Sequence, residues 1–277
     1  FTTLYHLIFI VKIKIIMKLC ILGRGLTSLS LAKSLVNMGL SIDVFSNEKY
    51  LDFNKNRTIG ISNDNLTFFN DEILNINKLC WKIRKIEIFS NSFKNEKILN
   101  FKNNNKTLFA IIKNNLLHKK LLLNLKKNKL CNFKTNFNFS HLKLKKYELI
   151  INCENTNFIS KKFFTKSLKK KYNSFAYTTI IKHKKIKNDV ATQIFTERGP
   201  LAFLPLSNTE TSIVFSIRGD ENINLKKLIN KYNNKYSITN FSPSNFFELE
   251  SLNLRNYYHK NILAFGDLLH RLHPLAG

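Results

Sequence analysis

Apolar and polar positions follow two rhythms along this chain, and the switch between them divides it. From Met17 to Glu48 a helical rhythm sits between two short apolar runs. Lys18 to Leu22 reads as a strand that ends at Gly23. Leu26, Leu29, Leu31, Ala32, Leu35 and Val36 then recur at helical spacing, which predicts a helix to about Gly39, with Gly39 as its stop. Ile42, Val44 and Phe45 open a second strand. Further on, the spacing predicts a short helix from Asn63 to Phe69, strands around Trp81, Ile83, Ile86, Ile88 and Phe89, and an asparagine-rich turn at Phe101 to Lys106. It also predicts a strand at Leu108 to Ile112, a helix from Asn114 to Leu130, and a buried strand from Tyr147 to Cys153.

From Ser174 the period shortens to two. Phe175 to Ile181, Val190 to Phe195, Leu201 to Leu206 and Ser212 to Ile217 read as strands of an antiparallel sheet. A helix follows at Leu225 to Tyr236, and Asn261 to Phe265 reads as a last buried strand ending in Gly266-Asp267. The expected class is α/β: a Rossmann-like domain with a parallel sheet, interleaved with an α+β domain built on an antiparallel sheet. The expected division is discontinuous. Residues 17–80, 107–160 and 255–277 form the first domain, and 81–106 with 161–254 form the second.

Composition changes this picture little. The 277 residues carry a formal charge of +27, which by itself suggests nucleic acid or an anionic membrane. Lysine, asparagine, isoleucine and phenylalanine are abundant together, however, and their shared AT-rich codons account for that. The lysines are spread out, without a recognition helix, zinc finger or aromatic platform. No specific nucleic acid is expected, and weak affinity for anionic lipid is. Cys20, Cys80, Cys131 and Cys153 form no CxxC pair and sit in apolar contexts, as free thiols of a reducing compartment do. Residues 1–16 are apolar but broken by Lys12 and Lys14, too short a run to span a bilayer; they read as a non-native or upstream extension, with Met17 as the start.

The candidate chemistry begins at Gly23-Arg24-Gly25-Leu26-Thr27-Ser28. A strand, this turn and a helix make the context of a dinucleotide fingerprint over about 30 residues. Gly23 allows the sharp turn. Gly25 lets backbone N–H groups approach a pyrophosphate at the helix N-terminus. Ser28 stands where a third glycine is usual. The acidic residue that would hold a ribose falls by spacing on Ser46, and the nearest carboxylate is Glu48. A plain strand–helix turn without a ligand is the competing reading.

The second anchor is Leu263 to Gly277, where Gly266-Asp267 is followed by His270, His273, Pro274, Leu275, Ala276 and Gly277. This stretch resembles the second flavin motif of the aromatic-ring hydroxylases, a family of FAD-dependent monooxygenases, and within them the ubiquinone-biosynthesis hydroxylases. Leu268-Leu269 replace the usual Ala-Ala. The glycine turn, Arg57 to Ser62, and Gly199 to Leu206 match the family in order. The resemblance implies FAD and NAD(P)H as cofactors, and oxygenation by O2 through a flavin C4a-hydroperoxide. The substrate would be an aromatic ring, a polyprenylated phenol of ubiquinone biosynthesis. It implies that Gly23, Gly25, Ser28, Glu48, Arg57, Gly266, Asp267, Pro274, Ala276 and Gly277 hold FAD. Pro200, Phe203 and Pro205 would lie on the substrate side, and no residue is singled out as catalytic. It also implies a cytoplasmic protein, peripheral to the inner membrane or held in a biosynthetic complex. Because the family's motif continues with Gln-Gly and a long helix, the chain reads as C-terminally truncated.

One departure opens a second reading. The family's middle motif, Ala-Asp-Gly followed by Ser and Arg, is here Cys153-Glu154-Asn155. A flavin-fold protein without redox turnover, acting as a binding subunit of a biosynthetic complex, is the alternative. Two other chemistries are discounted. His259, His270 and His273 lack a carboxylate or cysteine in register for a metal, and no G-x-S-x-G elbow exists for a hydrolase.

Overall fold

The computed structural model describes residues 18–46, 57–91, 96–103, 106–143, 146–219 and 223–272. Strand β1 (Leu19–Leu22) leads into helix α1 (Leu26–Asn37) and β2 (Ile42–Phe45). Next come β3 (Thr58–Ser62), α2 (Asn63–Phe68), β4 (Trp81–Ile83), β5 (Lys85–Ser90), β6 (Glu96–Lys102), β7 (Phe109–Lys113) and α3 (Asn114–Lys126). Then follow β8 (Cys131–Lys134), α4 (Phe139–Lys143), β9 (Leu149–Asn152), α5 (Phe158–Phe163), β10 (Ser167–His183), β11 (Val190–Thr196), β12 (Gly199–Pro205) and β13 (Glu210–Arg218). The chain continues through α6 (Leu225–Tyr232), β14 (Ile238–Phe241), β15 (Asn245–Leu254), β16 (Tyr258–His259), β17 (Ile262–Ala264) and β18 (His270–Arg271).

Three sheets result. A six-stranded sheet runs β16-β17-β9-β1-β2-β8, parallel except at its β16 edge. A larger sheet runs β18-β15-β10-β13-β12-β11-β5-β6, with β14 on β10. It is antiparallel apart from one parallel pair, β11 with β5. Between them β3-β7-β4 forms a small antiparallel sheet.

The parallel sheet is covered on both faces, as such sheets require. Successive β1 residues point opposite ways. Leu19 and Ile21 pack with Leu29, Ala32 and Val36 of α1 and Leu117, Leu121 and Leu125 of α3. Cys20 and Leu22 pack on the other face with Phe45, Phe137, Tyr147 and Ile159. Gly39 ends α1 at φ +80, where a side chain would be strained. On β2, Asp43 accepts hydrogen bonds from Lys134 Nζ at 2.5 Å and Tyr147 Oη at 2.6 Å. Burial alone would raise its pKa, but these bonds and the lysine charge hold the carboxyl below its ordinary value.

Several expectations change in detail. The helix expected to reach Leu130 stops at Lys126, and Cys131–Lys134 becomes the edge strand of the parallel sheet. The turn expected at Phe101 begins later, because Glu96–Lys102 pairs with β5. The strand expected from Phe175 begins at Ser167, where Lys169, Lys170 and Lys171 pair with β15. Leu225–Tyr232 is helical, but Tyr236 leaves the helix to reach a buried hydrogen bond described below.

Candidate functional site

The carboxyl ends of β1, β9 and β17 meet at one rim. Gly23 N–H donates to Phe45 O at 2.8 Å, Cys153 N–H to Leu22 O at 2.9 Å, and Phe265 N–H to Asn152 O at 2.9 Å. In an open α/β sheet this rim is where ligands bind.

The glycine turn sits on the rim. Gly23 has φ +124, and a Cβ there would lie 2.7 Å from Ser28 Oγ and 3.1 Å from Glu154 Cγ. The position therefore excludes any other residue, both by backbone and by space. Ser28, standing where a third glycine is usual, is buried and turned into this contact. Gly25 is the N-cap of α1, and no described atom lies within 4 Å of where its Cβ would be. That helix has no side-chain cap and no acidic residue in its first turn. Its first N–H groups are thus left for a partner of another kind, and an anion is the partner a helix N-terminus favours.

Gly266-Asp267 arrives beside it from the far end of the chain. Gly266 has φ +68, and a Cβ on it would come within 2.5 Å of Thr27 Cγ2 in the first turn of α1. Asp267 is exposed at the same rim. The thiol of Cys153, also here, is pushed up to about 11 by burial, against a hydrogen bond from Ser28 and with the charges of Glu154 and Asp267 adding to the rise. It is protonated and unreactive at neutral pH.

A third side of the site was not anticipated from the sequence. His118 of α3 is buried and its Nε2 donates to Arg24 O at 3.0 Å. Burial lowers its pKa, so the ring is neutral. The Arg24 guanidinium lies 5.4 Å from the Phe133 ring centre. Its Nε, like Asn114 Oδ1 and Asn115 Oδ1 at the start of α3, is buried without a hydrogen-bond partner. Arg24 stands between the two glycines of the turn, which was the available sequence signal.

The remaining expected residues are placed as follows. Ser46, where an acidic residue is usual, is buried, and its N–H donates to Lys134 O at 3.2 Å. Glu48, Pro274, Ala276 and Gly277 lie outside the described residues. Arg57 is exposed, with its guanidinium 5.3 Å from the Phe247 ring centre on β15. Next to it, Thr58 Oγ1 and Ser212 Oγ are 3.0 Å apart, which ties the small sheet to the large one. Leu204, opposite Ser212 across β12 and β13, packs with Ile83 and Ile111 on that same face. Phe203 does not. Strand alternation turns its ring away, 5.8 Å from Tyr236, into the cluster under α6. Pro205 shares its parity, and Pro200 pairs with Phe195. The face turned to the small sheet therefore carries Ala202 and Leu204, and Phe203 is a core residue. No group of three metal-ligating side chains occurs among the described residues.

These residues fit a flavin nucleotide in part. The uncapped helix, the open position at Gly25 and the orphaned Arg24 Nε suit a pyrophosphate. Glu154, packed against Gly23, places a carboxylate beside it.

No family model matches the chain, and no curated protein matches it either. Solved structures do. 2-Methyl-3-hydroxypyridine-5-carboxylic acid oxygenase has 12% identity and a TM-score of 0.72, covering 93% of this chain and 77% of that one. The p-nitrophenol 4-monooxygenase PnpA from Pseudomonas putida gives 10% identity and 0.71, over 94% and 75%. A Klebsiella pneumoniae HpxO variant complexed with FAD gives 12% and 0.68, over 93% and 76%. The chain has the fold of these oxygenases. At such identities the likeness establishes the fold, and residue roles must come from the site itself.

Proposed function

We propose that the protein is an FAD-dependent monooxygenase that hydroxylates an aromatic ring with O2 and NAD(P)H. The observation that carries this reading is the meeting of Gly266-Asp267 with the uncapped start of α1 at one sheet rim. Two stretches some 240 residues apart converge where a flavin nucleotide would lie, in a fold shared with an FAD complex. In this reading Gly23, Gly25 and the first turn of α1 hold the pyrophosphate, with Arg24 supplying a cation. Ser28 keeps the turn closed. Asp267 accepts a hydrogen bond from a cofactor hydroxyl. Arg57, Ala202 and Leu204 border the space beside the ring system. FAD, when bound, supplies the oxygen chemistry; the chain binds, orients and excludes water.

A polyprenylated phenol of ubiquinone biosynthesis is the proposed substrate. Its support is the resemblance of the C-terminal motif, together with the compounds for which two of the structural neighbours are named. Those compounds, a hydroxypyridine carboxylic acid and p-nitrophenol, are both small aromatics. The second reading, a flavin-fold subunit without turnover, has its own support in Glu154, whose side chain packs on Gly23. A carboxylate there opposes a pyrophosphate. The division proposed makes the parallel sheet the core of the cofactor domain and the large sheet the core of the substrate domain; its bounds part β4 from β3 and β7 in the small sheet, and β18 from its partner β15.

The test is FAD titration followed by NADPH oxidation. Asp267→Ala should weaken FAD by about 1.5–3 kcal/mol, roughly 10- to 100-fold. The exposed carboxylate contributes little to folding, so melting of the cofactor-free protein should not change. Equal FAD affinity in both proteins would refute the site. Tight FAD binding with no substrate-stimulated NADPH oxidation would favour the second reading.

A further inference from the structure

Helix α3 buries Leu117, His118, Leu121 and Leu125 against the parallel sheet. Its opposite stripe, Leu116, Lys119, Lys120, Leu123, Asn124 and Lys127, borders a groove of about 390 Å³ together with Leu79. Leu116 is 40% exposed and Leu123 49% exposed. They are two turns apart, about 10 Å along the axis. Single exposed leucines are ordinary on a protein surface. Here, among the described residues, three leucines line one shallow groove and every charged residue on its border is a lysine.

We propose that this face is a membrane-surface site, with α3 lying flat on an anionic bilayer. Leu79, Leu116 and Leu123 enter the interface, and Lys119, Lys120 and Lys127 sit among the lipid phosphates. The inference does not depend on FAD. Charge complementarity carries it: a formal charge of +27 attracts the protein to an anionic surface, and the lysine border orients it. Lysine stems lie along apolar surface while their ammonium groups reach the headgroups. No helix among the described residues is long and apolar enough to cross a membrane, so this mode is lying on the surface rather than spanning it. A protein partner is disfavoured because the groove is broad and open, without a deep socket for an anchoring side chain.

The experiment is co-sedimentation of the full chain with vesicles of mixed phosphatidylserine and phosphatidylcholine, and with vesicles of phosphatidylcholine alone. Binding should require phosphatidylserine. Each lysine near the surface contributes about a five-fold factor, so Lys119→Gln, Lys120→Gln and Lys127→Gln together should lower the partition roughly 100-fold. Leu116→Gln with Leu123→Gln should lower it about ten-fold or more. All five side chains are at the surface or the groove border, and unchanged melting verifies that each variant folds. The control is Lys226→Gln, Lys227→Gln and Lys231→Gln on α6, which removes the same charge elsewhere and should cost far less. Equal losses in the two triple variants would overturn the proposal, because diffuse charge would then be the whole effect. Equal binding to phosphatidylcholine alone would overturn it too. So would groove-dependent binding of an acidic amphipathic peptide by a protein that ignores both vesicles.

Discussion

Two polar clusters in this molecule are built on opposite plans. The first is the rim around Gly23 and Gly266. The second is a knot under α6, formed by His183, Asn188, Thr211 and Tyr236. In the knot the polar side chains are paired. Asn188 Nδ2 donates to Ser207 O at 2.8 Å and to Thr211 Oγ1 at 3.0 Å. Tyr236 Oη donates to Asn188 Oδ1 at 3.0 Å, and Trp81 Nε1 to Asn188 O at 2.6 Å. His183 bonds Thr211 Oγ1 and Lys184 O. At the rim, by contrast, α1 starts uncapped, Gly25 faces open space, and Arg24 Nε has no partner. A folded chain satisfies its buried polar groups unless something outside the chain completes them. The knot is therefore a fastening between sheet and helix, while the rim is a receptor. Histidine, tyrosine and asparagine buried together look like chemistry, yet here they are architecture.

The largest effect should come from the knot. Asn188→Ala removes one hydrogen bond each from the Tyr236 hydroxyl, Ser207 O and Thr211 Oγ1. It should cost about 3–5 kcal/mol of stability, read as a lower urea midpoint. Molecules that remain folded should bind FAD as before. A loss of FAD affinity beyond the unfolded fraction would erase the contrast between the clusters.

The next effect lies at the rim. Gly266→Ala forces a side chain onto φ +68 and drives its Cβ to 2.5 Å from Thr27 Cγ2. Backbone strain and overpacking together should cost about 2–4 kcal/mol and weaken FAD. Removing that methyl with Thr27→Ala in the same chain should return about 1 kcal/mol or more, a coupling measurable in a double-mutant cycle. Strictly additive effects would mean that the two segments do not touch as described.

What the sequence disclosed follows from the range of the forces involved. Gly23 and Gly39 were legible because each does its work within its own turn. The helix over Leu26–Asn37 was legible because one buried stripe repeats along it. The Gly266–Thr27 contact was not, since nothing local to either residue encodes the other. The same holds for His118 and Arg24, which lie 94 positions apart. That Phe203 packs into the cluster under α6 was not legible, because an apolar run such as Leu201 to Leu206 has no polar alternation to fix its parity. Cys131–Lys134 was missed because edge strands are short and carry lysine. Lys169 to Lys171 hid the start of β10 because three consecutive charged residues carry no apolar alternation, although they pair with Leu252, Ser251 and Glu250 of β15.

The smallest effect on stability, and the sharpest test of the comparison, is expected at Arg24. Its Nε is buried without a partner, while its guanidinium lies against Phe133. An orphaned buried donor is a cost in the free protein rather than a support. Methionine keeps a flexible apolar stem of similar reach and discards the charge. Arg24→Met should therefore change the stability of the cofactor-free protein by less than about 0.5 kcal/mol in either direction. FAD affinity should fall by about 1.5–3 kcal/mol, because a cation beside the pyrophosphate is lost. The ratio of these two changes is the diagnostic quantity, and the knot predicts the reverse ratio for Asn188→Ala. Urea unfolding without FAD and flavin fluorescence titration give the two numbers on one preparation. A destabilisation above about 1 kcal/mol with unchanged FAD affinity would make Arg24 a structural residue. The rim would then be a second fastening, and the flavin would have to bind elsewhere.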